Sequence, residues 1–308
     1  MAKRVLVATT KPFASQAIVE IKNICEEKGY ELILNESYTE QSDLVNAVKD
    51  VNALIVRSDK VTSEVIENAD NLKVVVRAGA GYDNLDCEAA SKKDVICMNT
   101  PGQNSNAVAE LAFGMMLYMA RSKFNGKSGT ELKGKTVGIH AYGNVGINVA
   151  RIAKGFDMKV IAFDPYVDNA IMVADGVKPV NSVEELYNIS DYLSVHIPSI
   201  PATQKLIDLR LISVMKPGAT IINTARKEVI NEEDMIKVFA IREDLKYASD
   251  IAPVKADEMI NKFGDRVYFT PKKMGAQTLE ANVNAGVAAI NQIIAYFEKG
   301  DTTFQVNK

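Results

Sequence analysis

The feature that most constrains the fold is a regular alternation of short β-branched runs with longer segments of helical periodicity. The runs are RVLVATT, ELILNE, ALIVRS, KVVVRAG and VICMNT in the first part of the chain, and TVGIHAY, KVIAFD, YLSVHIP, TIINTA, YASDIA and VYFTP in the second part. Such alternation is typical of parallel sheets whose strands are joined by crossover helices. The sequence therefore predicts the α/β class.

A strongly apolar segment separates the two series of runs. Residues 107–120, AVAELAFGMMLYMA, are apolar on nearly every side, which predicts a helix buried between larger elements. We assign residues 1–99 and 279–308 to a discontinuous first domain and residues 100–278 to a second domain.

The last helix is predicted to begin near Thr278 and to end at Gly300, a residue type that commonly terminates helices. Helical spacing predicts its core-facing residues to be Leu279, Val283, Val287, Ile290, Ile294 and Phe297.

Composition argues against several functional classes. A net charge of -3 and a pI near 5.6 disfavour a nucleic-acid surface, because phosphate binding needs clustered Lys and Arg. No apolar run is long enough to span a bilayer or to form the core of a signal peptide. Cys25, Cys87 and Cys97 lack metal-ligand spacing, so we expect reduced thiols in a cytoplasmic protein that holds no metal.

The strongest local pattern is GKTVGIHAYGNVGINVARIAKG, in which a strand runs through a turn into a helix. In a dinucleotide-binding turn, Gly143 would let the backbone approach the pyrophosphate and Gly146 would let helix and strand pack closely. Asn144 and Val145 would open the helix whose N-terminus meets the phosphate charge. The pattern departs from G-x-G-x-x-G at its first glycine, where this chain has Ala141.

Asp164 strengthens this prediction. It closes the next strand roughly 20 residues beyond the turn, where an acidic residue is expected to bind the adenosine ribose hydroxyls. A carboxylate there would repel a 2′-phosphate, and the segment DPYVDN offers no Arg or Lys to accept one. The sequence therefore predicts NAD rather than NADP as the cofactor.

Several motifs, in order along nearly the whole chain, resemble those of the D-isomer-specific 2-hydroxyacid dehydrogenases, and in particular the short phosphoglycerate dehydrogenases without a serine-binding regulatory domain. Besides the Gly143 turn they are IVRSDK (55–60), VRAGAGYDNLD (76–86), NTPGQNSNAVAELAFGMM (99–116), VHIPSIPAT (195–203), NTARKEVINEED (223–234) and TPKKMGAQT (270–278). The resemblance implies two Rossmann-like or flavodoxin-like domains with parallel sheets. It places the active site in the cleft between a substrate-binding first domain and an NAD-binding second domain.

The resemblance also implies how the substrate carboxylate is held. Arg226 would bind it through the planar guanidinium, and the loop at Ala78 and Gly79 would present backbone amides to it. The position of Arg226 directly after the predicted strand TIINTA suits this role.

A second group of residues matches the family segment that contacts the distal end of the substrate. Arg57, Ser58 and Lys60 belong to this segment, and two neighbouring cations suit a phosphate better than a methyl group. Asn104 matches a family position near the substrate. Lys11 follows the first strand, at the binding end of a parallel sheet, and is either a further ligand or a solvated loop lysine.

For the cofactor, the resemblance assigns two groups of residues. Those expected near the adenosine and pyrophosphate are His196, Pro198 and Thr203. Those expected near the nicotinamide are Thr224, Ala225 and Asp250, with Asp250 accepting a hydrogen bond from the carboxamide. Gly275 is also expected to bind the cofactor. We interpret His196 as a cofactor-binding or packing residue rather than a proton carrier, and His140 as a buried, hydrogen-bonded side chain.

The chain departs from the family at the catalytic residues. Most members use a histidine, oriented by a glutamate, to exchange the hydroxyl proton. Here Lys272 replaces the histidine, and Lys255 falls where the glutamate is expected. Either catalysis has been lost or Lys272 has taken the role of the histidine. We favour the second reading, because a short phosphoglycerate dehydrogenase subgroup is similar in having lysine there; Lys273 is the alternative base.

The two replacements agree with each other chemically. An imidazole needs a partner to fix its tautomer, whereas an amine has none to fix, and a neighbouring carboxylate would keep an amine base protonated. Loss of the glutamate, burial of the amine and nearby cations such as Arg226 or Lys255 would each favour the neutral amine that oxidation needs.

The function implied by the resemblance is NAD-dependent oxidation of D-3-phosphoglycerate to 3-phosphohydroxypyruvate and the reverse reaction, the first step of phosphorylated serine biosynthesis. The alternatives are a D-2-hydroxyacid dehydrogenase or glyoxylate/hydroxypyruvate reductase, and a non-catalytic NAD-binding scaffold. The family also implies a homodimer formed through the cofactor domain, with the helix at 107–120 as a candidate contact. We expect a small phosphorylated 2-hydroxy acid as the ligand, with no nucleic acid or membrane partner.

Overall fold

The computed structural model describes residues 2–307, which form two compact units. The first unit runs to Asn104 and resumes at Thr278, and the second unit is Ser105–Gln277. Sequence analysis placed these divisions after residues 99 and 278.

The strands, numbered in chain order, are β1 (Arg4–Thr9), β2 (Glu31–Glu36), β3 (Ala53–Val56), β4 (Val74–Arg77), β5 (Ile96–Asn99), β6 (Thr136–His140), β7 (Lys159–Phe163), β8 (Lys178–Pro179), β9 (Tyr192–Val195), β10 (Thr220–Asn223), β11 (Lys246–Ser249) and β12 (Val267–Phe269). The helices are α1 (Ser15–Glu27), α2 (Gln41–Ala47), α3 (Ser63–Glu67), α4 (Cys87–Lys92), α5 (Ser105–Ala120), α6 (Asn144–Gly155), α7 (Asn169–Ala174), α8 (Val183–Ile189), α9 (Leu209–Ser213), α10 (Glu232–Ile241), α11 (Ala256–Phe263) and α12 (Leu279–Lys299). Every predicted run contains a strand. Sequence analysis missed β8, whose two residues are too few to show a pattern.

The first unit is a five-stranded parallel sheet in the order β2-β1-β3-β4-β5. Alternate residues of its strands point to opposite faces: one face packs on α1 and α12, and the other on α2, α3 and α4. Both faces are covered, which explains why the inner strands read as continuous apolar runs. This strand order is that of flavodoxin-like folds.

The second unit is a seven-stranded parallel sheet in the order β12-β11-β10-β9-β6-β7-β8. The chain order reverses between β6 and β9, so a crevice opens at their carboxyl ends, the place where doubly wound sheets bind dinucleotides. The predicted α/β class with parallel, Rossmann-like and flavodoxin-like sheets is therefore confirmed.

Helix α12 has the predicted ends, and much of its predicted core face is confirmed: Ile290 and Ile294 are buried, and Val283 and Phe297 pack against the same core. The hydroxyl of Thr278 accepts from the amide of Ala281 at 3.1 Å, and Gly300 has φ 65° beyond the last turn. Leu279 is nevertheless 51% exposed. Small residues fill much of the contact with α1, among them Gly286, where an added Cβ would lie 3.1 Å from Ile21 Cδ1. The prediction followed the large side chains and missed the small ones.

Helix α5 is buried along most of its length, as predicted. Its methionines Met115, Met116 and Met119 pack into the core of their own unit. They are therefore not the surface through which this helix would contact a second subunit, and the dimer stays a prediction. Within residues 2–307, no helix has the length and apolar character needed to cross a membrane.

Candidate active site

The predicted dinucleotide turn lies at the carboxyl end of β6, where the strand order reverses. Gly143 precedes the first turn of α6, whose opening residues are Asn144, Val145 and Gly146. A Cβ added to Gly146 would overlap the carbonyl oxygen of Ala141, so only glycine lets the helix approach the turn this closely. A Cβ on Gly143 would meet nothing within 4 Å, so the space beside the helix N-terminus is open to a ligand.

Ala141 holds a backbone conformation that normally calls for glycine. Its φ is 81°, in the region that L-residues rarely adopt. This is the position at which the G-x-G-x-x-G pattern has its first glycine. The conformation of the turn is thus kept although the residue that favours it has been replaced.

Asp164, after β7, faces the same turn. Its Oδ2 accepts from the amide of Tyr142 at 2.8 Å, and its Oδ1 accepts from the amide of Tyr166 at 2.9 Å. Each carboxylate oxygen has a second lone pair, which can accept from a ribose hydroxyl. The open glycine, the helix N-terminus and this carboxylate together fit NAD.

The loop after β9 is closed by one hydroxyl. Thr203 Oγ1 donates to the carbonyl of Pro198 at 2.5 Å and accepts from the amide of Ile200 at 2.9 Å. Thr203 thus shapes the loop, and the cofactor contacts expected of Thr203 and Pro198 stay predictions.

Both histidines are hydrogen-bonded, and His140 is buried while His196 is partly buried. His196 Nε2 lies 2.8 Å from Ser194 Oγ, and its Nδ1 lies 3.1 Å from Thr224 Oγ1. His140, 3% exposed, bonds to the hydroxyl of Tyr187 at 3.1 Å. Burial lowers the pKa of His140 to about 4, and burial together with the nearby His140 lowers the pKa of His196 to about 3. Both rings are neutral near pH 7, so neither is suited to exchange protons there.

The turn after β10 carries Thr224, Ala225 and Arg226. The buried amide of Asn223 spans it, because Oδ1 accepts from the amide of Ala225 at 2.9 Å and Nδ2 donates to the carbonyl of Arg226 at 3.0 Å. Arg226 is partly buried and also donates to the carbonyl of Ala225 at 3.0 Å. Sequence analysis missed Asn223, whose only signal was a polar residue ending the buried strand.

Asp250, after β11, is 1% exposed and binds the segment that carries Lys272. Its Oδ1 accepts from the amide of Met274 at 2.7 Å and from Thr270 Oγ1 at 3.2 Å, and its Oδ2 accepts from the amide of Gly275 at 2.7 Å. In this structure Asp250 and Gly275 therefore bind each other. The contacts that both residues are expected to make with the cofactor stay predictions.

Lys272, which follows β12, is exposed. Lys255, at the position where the glutamate is expected, is held by acidic residues of α10. The ammonium of Lys255 pairs with Glu233 at 3.3 Å, and its backbone amide donates to Glu232 at 2.8 Å. In the part of the chain that the structure describes, no group of three or more His, Cys, Asp or Glu could hold a metal ion.

In the first unit, Arg57 follows β3 and is held by backbone carbonyls. Its Nη1 donates to the carbonyls of Lys11 at 3.1 Å and Pro12 at 3.0 Å, and its guanidinium lies over the ring of Phe13, 5.2 Å from the centroid. The side chain of Lys11 is exposed, so both readings of that lysine stay open.

A buried carboxylate that sequence analysis missed joins the ends of β1 and β3. Asp59 is 5% exposed; its Oδ1 accepts from the amide of Thr10 at 2.6 Å and the hydroxyl of Tyr38 at 3.0 Å, and its Oδ2 accepts from the amide of Arg57 at 3.3 Å. The residues on either side of Asp59, Ser58 and Lys60, are exposed.

The predicted carboxylate-binding amides are already engaged in this structure. Ala78 N donates to the carbonyl of Val56 at 2.8 Å, and Gly79 N donates to the carbonyl of Arg77 at 2.9 Å. Binding a carboxylate through either amide would require the loop to release these bonds. Arg77, which was not predicted, donates through Nε to the carbonyl of Arg57 at 2.9 Å and brings a second guanidinium to this edge.

Asn104 is the last residue of the first unit and immediately precedes α5. It is partly buried. Its proposed contact with the substrate stays a prediction.

Comparison with known proteins identifies the family. Residues 108–271 match the family model described as D-isomer specific 2-hydroxyacid dehydrogenase, NAD binding domain. The chain is 36% identical to a D-3-phosphoglycerate dehydrogenase of Methanocaldococcus jannaschii over 94% of this chain, but spans only 57% of that relative. It is 35% identical to a hydroxypyruvate reductase of Thermotoga maritima, over 85% of this chain and 90% of that one.

A solved structure resembles the chain over its full length. It is the NAD+-bound 3-phosphoglycerate dehydrogenase of Entamoeba histolytica, which shares 42% identity and a TM-score of 0.91 over 100% of this chain and 99% of that one. The chain belongs to the D-isomer-specific 2-hydroxyacid dehydrogenase family. Its second unit is the NAD-binding domain of that family, and its cofactor is NAD.

The strain at Ala141 can be measured. Ala141→Gly should raise the free energy of unfolding by about 0.5–1 kcal/mol, because relief of the left-handed conformation outweighs the greater freedom of an unfolded glycine. Chemical denaturation of both proteins measures the change. The matched control is Ala170→Gly in α7, which should lose about 0.5–1 kcal/mol. If Ala141→Gly lowered the free energy of unfolding as much as the control does, Ala141 would not be strained.

The neutrality of both histidines is also testable. The C2 protons of His140 and His196 should show no titration in NMR spectra between pH 8 and pH 5, since their pKa values are about 4 and 3. Because the folded pKa values lie below the unfolded value of about 6.5, the stability gained by keeping the rings neutral is present above pH 6.5 and is lost as the pH falls toward 4 and 3. A midpoint near 6.5 for either ring would refute this.

Proposed function

We propose that the chain oxidises D-3-phosphoglycerate to 3-phosphohydroxypyruvate with NAD, and catalyses the reverse reaction. The observation that carries the proposal is the pair of arginines at the carboxyl edge of the first sheet. Arg57 is braced by two carbonyls and an aromatic ring, and Arg77 is attached to the carbonyl of Arg57. Two guanidinium groups on adjacent strands suit a dianionic phosphate and are more than an unphosphorylated substrate needs.

The likeness to known enzymes supports this choice. The Entamoeba histolytica protein, similar over the full length, is a 3-phosphoglycerate dehydrogenase, and so is the Methanocaldococcus jannaschii relative. In this proposal Arg226 binds the carboxylate, and the product enters phosphorylated serine biosynthesis. We also propose that the enzyme is cytoplasmic and that it is a homodimer. Light scattering of the purified protein would measure the mass of the assembly and so test the dimer.

We assign the proton transfer to Lys272. Bound NAD supplies the hydride acceptor. As the C2–H bond of the substrate breaks, the neutral amine of Lys272 accepts the hydroxyl proton and the C–O bond becomes a carbonyl. In the reverse direction the ammonium of Lys272 returns the proton to the carbonyl oxygen. Its exposed position leaves it accessible to substrate.

The second candidate is a hydroxypyruvate or glyoxylate reductase, favoured by the Thermotoga maritima relative, 90% of whose length is covered. Its substrates lack the phosphate, so the arginine pair would have no distal anion to bind. A non-catalytic scaffold would need neither the arginine pair nor Lys272.

Substrate choice separates the first two candidates. NADH formation or consumption should be confined to 3-phosphoglycerate and phosphohydroxypyruvate when these are compared with D-lactate, glyoxylate and hydroxypyruvate. Arg57→Gln should lower kcat/KM for phosphohydroxypyruvate by about 10- to 100-fold, since it removes a charged hydrogen bond, and should change turnover of hydroxypyruvate much less. An equal loss for both substrates would remove Arg57 from phosphate recognition, and faster wild-type turnover of hydroxypyruvate would favour the reductase.

The role of Lys272 has its own test. Lys272→Ala should lower kcat by about 10²- to 10⁴-fold, the usual contribution of a positioned acid or base, while calorimetry shows NAD binding retained. Lys273→Ala is the matched control and should keep kcat within a few fold. If the two variants exchange these behaviours, Lys273 is the base. Near-normal turnover of both would exclude a lysine at this segment as the proton acceptor.

A further inference from the structure

We propose that Asp250 is a positioning residue, whose buried carboxylate fixes the segment that carries Lys272. This inference rests on the proposed function, in which Lys272 exchanges the substrate proton. It assigns to Asp250 a role in placing the lysine, in addition to any contact with the cofactor.

The segment between β12 and α12 is attached to Asp250 at both ends. Thr270 Oγ1 donates to the backbone carbonyl of Asp250 at 2.8 Å and lies 3.2 Å from its Oδ1. At the other end, the amides of Met274 and Gly275 donate to Oδ1 and Oδ2, each at 2.7 Å. Lys272 lies in the short arc between these attachments, so the carboxylate restricts where its backbone can be.

A carboxylate is the side chain that this arrangement requires. Two successive amides converge on two different oxygens, and both oxygens must therefore be acceptors. An asparagine would present an NH₂ group to one of the two amides, which would leave that donor facing another donor. Asp250 is 1% exposed, so almost no water can replace a lost hydrogen bond. Each of the two amides therefore depends on a carboxylate oxygen as its acceptor.

Gly275 fits the same requirement. A Cβ at this position would lie 2.9 Å from Asp250 Oδ2 and 3.2 Å from Val108 Cγ2, closer than side chains normally approach. Glycine therefore allows the carboxylate to reach the amide of residue 275. Asp250 thus holds this segment through the hydroxyl of Thr270 and the backbone amides of Met274 and Gly275.

The test is Asp250→Asn, measured at saturating NAD. We expect kcat to fall by about 10- to 100-fold, consistent with loss of a positioning bond, while the Kd for NAD changes less than about threefold. Trypsin should also cleave after Lys272 and Lys273 several times faster than in the wild type, because the released arc can enter a protease site. Gly275→Ala, which crowds the same carboxylate, should change kcat and cleavage in the same direction.

Two controls define specificity. Thr270→Val removes one hydroxyl but leaves both amide bonds, so its effects on kcat and cleavage should be smaller. Asp164→Asn alters a different amide-binding carboxylate of the same unit and should leave cleavage at Lys272 and Lys273 unchanged.

The outcomes separate this inference from the proposed function. If Asp250→Asn weakens NAD binding while kcat at saturating NAD and the rate of cleavage are unchanged, Asp250 serves the cofactor and the inference is overturned. If the wild type turns over none of the substrates, the proposed function fails. The comparison of trypsin cleavage still decides whether Asp250 holds the segment.

Discussion

The site depends on how backbone amides are satisfied where parallel strands end. Beyond the last hydrogen bond to a neighbouring strand, the backbone amides need other acceptors. A buried amide without an acceptor destabilises the fold. In this chain, buried or partly buried Asp and Asn side chains supply those acceptors. They are Asp59 after β3, Asp164 after β7, Asn223 at the end of β10 and Asp250 after β11.

These polar side chains also fix the turns that carry the proposed functional groups. Asp59 binds the amide of Arg57, Asn223 spans the turn that ends in Arg226, and Asp250 holds the segment of Lys272. In each case a cation extends from a turn whose backbone is fixed by a neighbouring acceptor. Flexible cationic side chains gain precision from such a rigid base, because less freedom is lost when the ligand binds.

The sequence predicted the strands and helix ends better than the hydrogen bonds that join the loops between them. Hydrophobic runs located the strands because parallel strands are buried on both faces, and Thr278 and Gly300 marked the ends of α12 because capping is local. The engaged amides of Ala78 and Gly79 could not be predicted, since their acceptors depend on how the loop turns. The roles of Asp59 and Asn223 were missed for the same reason: their partners follow from tertiary structure, and a lone polar residue after an apolar run is ambiguous.

In the proposed mechanism Lys272 takes the place of a histidine, and this changes what the protein must supply. A histidine base needs a partner at its second nitrogen to fix its tautomer and ring orientation. A lysine needs no such partner, but its four-carbon stem is flexible, so its amine can be placed only through the backbone and the surrounding surface. Lys255, at the position expected for the histidine's glutamate, pairs with Glu233 and directly precedes α11. In this proposal, anchoring of the main chain by the carboxylate of Asp250 replaces orientation of the base by a side-chain partner.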